Sequence, residues 1–109
     1  MELTRGDSGQ YNFQRINADG EVIMSTPTTL DFTVKRSYSD RAPVFQKKIG
    51  DMEMDDQGFW HFTINPEDTE TLEIATYVYD IEVSDGGYVQ TISKGSLKLL
   101  PEATWVSNR

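Results

Sequence analysis

The sequence predicts an all-β chain folded as an antiparallel two-sheet sandwich. Alternation of apolar and polar residues recurs in short runs, turn residues separate those runs, and helical periodicity is almost absent. Seven to eight such runs in 109 residues point to an immunoglobulin-like β-sandwich with one short helical turn. A chain of this length makes one domain that buries roughly 60 to 70 per cent of its unfolded surface. The expected division is a sandwich over residues 1–101 and a C-terminal tail over 102–109, without internal repeats or low-complexity linkers.

The first run, "QYNFQRI", puts Tyr11 and Phe13 on one face, and the Asp19-Gly20 pair after it is a hairpin turn signal that sends "EVIM" back as a strand. "LDFTVKRSY" sets Leu30, Phe32 and Val34 against Asp31, Thr33 and Lys35, the pattern of a half-buried strand. Pro43 and Ser39-Asp40 break the pattern. "VFQKKIG" then reads as a short edge strand on which Lys47 and Lys48 discourage foreign pairing. "DMEMDDQG" reads as an exposed loop, and "FWHFTI" turns Trp60, Phe62 and Ile64 inward.

"NPEDTETLE" supports one helical turn: Asn65 suits the cap, Pro66 the first position, and Glu67 and Asp68 the positive end of the dipole. "TYVYDIEV" places Tyr77, Tyr79, Ile81 and Val83 on one face, "SDGG" makes a tight turn, and "YVQTI" returns as its hairpin partner. Ser93-Lys94-Gly95 predicts a bend or bulge before a last strand, "SLKLL", which Pro101 ends. A helical turn followed by a tyrosine at the head of the next strand matches the tyrosine corner of immunoglobulin-like folds, with Tyr77 and Tyr79 as the two candidates.

Formal charge is −8, and it is unevenly spread. Lys35, Arg36, Arg41, Lys47 and Lys48 crowd one stretch, whereas Ile49 to Ser93 carries eleven acids and no Lys or Arg. Such a balance repels phosphate backbones, so no nucleic-acid partner is expected. No run approaches the ~20 apolar residues of a membrane span, and the charged N-terminal stretch excludes a Sec signal, so synthesis in a host cytoplasm and no membrane partner are expected. The charge split suggests a basic face that meets the acidic face of a neighbour.

Catalytic chemistry has little to work with. There is no cysteine, and His61, the one histidine, sits opposite the inward set of its strand with no nucleophile or orienting carboxylate at a telling spacing. No enzyme activity, cofactor or metal is expected. Asp51, Glu53 and Asp55 alternate before Gly58 like a calcium loop, but the glycine is late and Phe62 stands where a closing Glu belongs. Trp60, Tyr38, Tyr88 and Trp105 would make a sugar-stacking platform if they shared one surface. Arg5-Gly6-Asp7-Ser8 spells a cell-adhesion tetrapeptide and equally an ordinary turn, in which Gly6 gives the bend, Asp7 satisfies backbone donors and Arg5 pairs with a nearby acid.

The stretches "LTRGDSGQYNF", "DFTVKRSYSDRAPVFQK", "FTINPEDTETL" with "TYVYDIEV", and "TISKGSLKLLPEAT" cover nearly the whole chain in order. Together they resemble the small immunoglobulin-like domains of bacteriophage virion proteins, in particular the N-terminal domain of the baseplate upper protein family. The resemblance implies a non-enzymatic structural component of a phage particle, located in the virion and packed with other virion structural proteins as a homo-oligomer or ring. That family continues into further segments that hold receptor-binding proteins, whereas this sequence ends at Arg109, so the family's attachment function is not expected to carry over with the fold. Tail, baseplate or neck accessory, head decoration protein, and a carbohydrate-binding module for host attachment are the alternatives. The expected contacts pair Arg36, Arg41, Lys47 and Lys48 with Asp68, Glu70 and Glu73, with Trp105 as an anchor to a neighbouring protein.

Overall fold

A computed structural model describes residues 1–103, in which eight strands form two sheets. The five-stranded sheet runs in the order β1 (Glu2–Thr4), β8 (Tyr88–Leu100), β7 (Thr76–Asp85), β3 (Thr29–Lys35), β4 (Phe45–Lys48). The three-stranded sheet runs β2 (Gly9–Gln14), β6 (Phe59–Ile64), β5 (Glu53–Met54). The chain changes sheets between β1 and β2, β2 and β3, β4 and β5, and β6 and β7, which is the immunoglobulin-like sandwich arrangement. The molecule measures 49 × 32 × 22 Å.

Alternation fixes which face each strand buries. Leu30, Phe32 and Val34 of β3, Ile81 and Val83 of β7, and Leu97 and Leu99 of β8 meet Trp60, Phe62 and Ile64 of β6 in one core. The Phe32 ring lies 4.6 Å from Phe62 and 5.6 Å from Tyr79, and Phe62 in turn stacks on Tyr11 at 5.8 Å. In this cysteine-free chain, aromatic packing spans the two sheets where antibody domains place a disulfide.

The crossing from β6 to β7 is built around α1 (Pro66–Thr69), whose cap residue Asn65 donates its N–H to Asp68 Oδ2 at 2.7 Å. The Tyr77 hydroxyl donates to the Glu73 carbonyl at 2.8 Å, which makes Tyr77, not Tyr79, the corner tyrosine. Tyr79 instead lies across Gly95, its partner in β8, where an added Cβ would sit 3.1 Å from the Tyr79 hydroxyl.

Three expectations need correction. The sheets are not wholly antiparallel: β1 runs parallel to β8, with Glu2 opposite Lys98 and Thr4 opposite Leu100. The turn at Thr4–Asp7, with Gly6 at φ 80°, throws the chain into the other sheet before β1 could form a hairpin with β2. "EVIM" contributes one bridge, Ile16 to Val22, and no strand; Pro27 lies just beyond it and has no N–H for a ladder. "YVQTI" and "SLKLL" are one continuous strand, and the bulge falls at Ile92, where the register passes from Glu82–Thr91 to Ile81–Ser93.

The adhesion-like tetrapeptide is a pinned turn. Gly6 is buried and its N–H donates to the Thr69 hydroxyl at 2.9 Å, while Arg5 grips Glu102 through Nε at 3.1 Å and Nη2 at 2.9 Å. That fork to Glu102 holds the Arg5 guanidinium above its already high ordinary pKa, and a third bond runs from Nη1 to the Leu72 carbonyl at 3.1 Å. Glu102, which the sequence assigned to the tail, is thereby fastened to the sandwich.

Candidate interaction surface

The two edges of the five-stranded sheet differ in protection. On β4 the register sets Lys47 opposite Phe32, so its side chain points inward, and Nζ meets Asp68 Oδ2 at 2.7 Å with Lys47 only 8% exposed. An inward charge on a short edge strand discourages strand addition. On β8, β1 covers only Lys98 to Leu100, and Met1 adds contacts to the Ser96 carbonyl and the Lys98 N–H. From Tyr88 to Gly95 the outer side of β8 has no neighbouring strand among the described residues.

This open stretch begins at a tight hairpin. Gly86 and Gly87, at φ 59° and 86°, connect Asp85 to Tyr88 as only residues free of a Cβ do without strain. Tyr88 and Val89 follow at 69% and 58% exposure, the two most exposed large apolar side chains of this sheet. No charged residue occurs between Gly86 and Ser93.

The charged residues singled out by the sequence are mostly engaged within the chain. Lys47 and Asp68, expected on opposite copies, form the buried pair just described, so neither is available to a neighbour. Lys48 reaches Asp31 at 3.4 Å. Arg36 donates to the Thr76 carbonyl at 3.0 Å and lies over the Tyr77 ring at 5.3 Å. Arg41 and Glu73 are exposed and Glu70 is half-buried. Trp105 lies outside the described residues. The signal that could have placed Lys47 was its alternation with Phe45, which puts both on one face of the strand.

A concavity of about 690 Å³ opens between β2, β6 and the 3₁₀ turn at Ile49–Asp51. Asn12, Asp51, Glu53, His61 and Thr63 line it with polar groups. His61 Nε2 lies 2.8 Å from Asp55 Oδ2, while Asp55 Oδ1 accepts the N–H groups of Gln57 and Phe59 at 2.9 and 3.0 Å. Those bonds, that to His61 above all, hold the Asp55 carboxyl below its ordinary range. Their combined effect is to lock the β5–β6 turn. Among the described residues no group of three or more metal-ligating side chains comes together, at the acidic loop or elsewhere.

Trp60, Tyr38 and Tyr88 do not share one surface. Trp60 is a core residue at 4% exposure. Tyr38 lies over the outer face of the sheet, donating to the carbonyls of Tyr79 and Gly95 at 3.0 Å, with Lys94 Nζ 5.9 Å from its ring. Tyr88 is at the hairpin, on the order of 20 Å along β8 from Gly95 at about 3.3 Å per residue. No helix among the described residues is long and apolar enough to cross a membrane. Neither models of known protein families nor curated proteins yield a match to this chain.

Proposed function

We propose that this chain is a non-enzymatic structural component of a phage particle, a tail, baseplate or neck accessory that acts through protein–protein contacts in a symmetric assembly. The observation that carries this reading is the placement of its exposed apolar side chains: Tyr88 and Val89 stand on a hairpin beside an open strand edge, a surface suited to another protein chain. The likeness of its ordered strand and turn stretches to virion immunoglobulin-like domains agrees with that reading. So does part of the uneven charge, because Arg41 of the basic stretch and Glu70 and Glu73 of the acidic one enter no ion pair among the described residues and are left for contacts with neighbouring proteins. A head decoration protein of the same fold would use the same surfaces at higher copy number.

Absolute peptide quantification against the major capsid protein in purified particles tests the proposal. A small fixed number of copies per particle supports a tail or baseplate ring, and hundreds support head decoration. Absence from the particle overturns the virion reading.

A further inference from the structure

We propose that the Tyr88–Ile92 edge of β8 docks against the same edge of a second copy, antiparallel, about a two-fold axis at Gln90. The inference deepens the assembly reading and rests on it only for its biological setting. The main chain supplies the first argument. Asp85 and Tyr88 close the two-residue turn and bond to each other, so alternation directs the N–H and C=O groups of Val89 and Thr91 away from β7. These groups face the side of β8 that no described strand covers.

A two-fold axis at Gln90 places Val89 opposite Thr91 of the second copy and Thr91 opposite its Val89. Each opposed pair exchanges both of its backbone bonds, so the outward donors and acceptors of one copy are satisfied by those of the other. The same register sets Tyr88 beside Ile92 of the second copy and gathers exposed apolar surface from both. Lys94 comes level with the second copy's hairpin turn, which Asp85 closes from β7 with its carboxylate 3.8 Å from Arg15 Nη2 of its own chain, so no like charge opposes Lys94 there.

The occupant is a second copy because the edge is self-complementary and uncharged. Two chains that each carry −8 repel elsewhere, yet from Gly86 to Ser93 neither brings a charge to the contact. The usual guards against strand addition, Pro, Lys or an inward charge, are missing over this stretch, whereas the β4 edge has one in Lys47. The bulge at Ile92 and then Lys94 limit the pairing to a short segment. Such a contact is well below the ~1,600 Å² of a standard interface, so it is weak alone and strengthened when copies are held together.

A cysteine-free chain makes the test direct. Gln90 falls at a non-hydrogen-bonded pair, where Cα atoms stand about 4.5 Å apart, within the ~4.4–6.8 Å range that a disulfide spans. Purified Gln90→Cys is expected to form a disulfide dimer under mild oxidation about tenfold faster than Lys48→Cys on the opposite edge, and faster still as salt screens the net charge. Thr91→Pro in the Gln90→Cys background removes an N–H directed away from β7, so it is expected to suppress crosslinking while thermal unfolding is retained. Val89→Lys serves the same purpose without altering the backbone.

Equal crosslinking of Gln90→Cys and Lys48→Cys overturns the proposal. Crosslinking that persists at full rate with folded Thr91→Pro or Val89→Lys does so as well. Because the test uses purified protein, its failure leaves the particle measurement standing, and absence from particles leaves a solution dimer standing.

Discussion

The hydroxyl of Tyr77 and the ammonium of Lys47 are polar groups held at the border of an apolar core, and each has one partner that decides its effect. Tyr77→Phe leaves the Glu73 carbonyl without its donor in a half-buried corner, at an expected cost of about 1–2 kcal/mol. Tyr79→Phe serves as the comparison, expected to stay within about 0.5 kcal/mol, because the Tyr79 hydroxyl makes no comparable backbone bond among the described residues. Urea unfolding of the two variants measures the difference, and equal losses would remove the corner assignment. Lys47→Met keeps the apolar stem but leaves the Asp68 carboxylate without its cation, with the Asn65 N–H as its remaining donor, in a site where it is 18% exposed, with an expected loss of about 2–4 kcal/mol. Adding Asp68→Asn is expected to restore part of that loss, read as a coupling energy in a double-mutant cycle. The corner was legible as a choice between two tyrosines, since both stand near the head of the strand. Only the three-dimensional course of the chain through Glu73 separates them. The fate of Lys47 was written in the alternation but obscured by chemistry, because a lysine on an edge strand is expected to face water.

Strands that bury one face along their whole length, β3, β6 and β7, were legible residue by residue, since period-two alternation is what half-burial demands. Elements held by position rather than pattern were not. β1 buries only Leu3 and pairs over three residues, too short to show a period. β5 spans Glu53–Met54 inside a stretch that reads as an acidic loop, and it exists because β6 offers His61 and Trp60 as partners. The turn that joins β5 to β6 carries its own pH dependence. Folding lowers the pKa of Asp55, so its contribution is fully present above the ordinary carboxylate value of 3.8 and is lost as pH falls through the lowered one. The amide proton shifts of Gln57 and Phe59 are expected to move together in a step below pH 3.8 and to lack that step in Asp55→Asn. Persistence of the step in the variant would show that another group holds the turn.

At the scale of the whole molecule, the split of charge along the sequence does not become two opposed binding faces, because Lys47 and Asp68 neutralise each other inside the chain and Lys48 turns to Asp31. Sequence distance between the basic and acidic stretches hid the fact that the fold brings β4 to α1. The open β8 edge was equally hidden, since a strand shows its own faces in its alternation but not which neighbours it lacks. The parallel pairing of β1 with β8 has a mechanical consequence. A load that pulls residue 1 away from the C-terminal end of β8 runs along both strands in opposite senses. It therefore shears their backbone bonds and the Arg5–Glu102 clamp together instead of opening them one by one. A load applied at Gly86 instead peels the β7–β8 hairpin from its turn. Single-molecule pulling is expected to give a higher unfolding force between residues 1 and 103 than between residues 1 and 86, so the sandwich would bear tension along its terminal strands and yield at its hairpin.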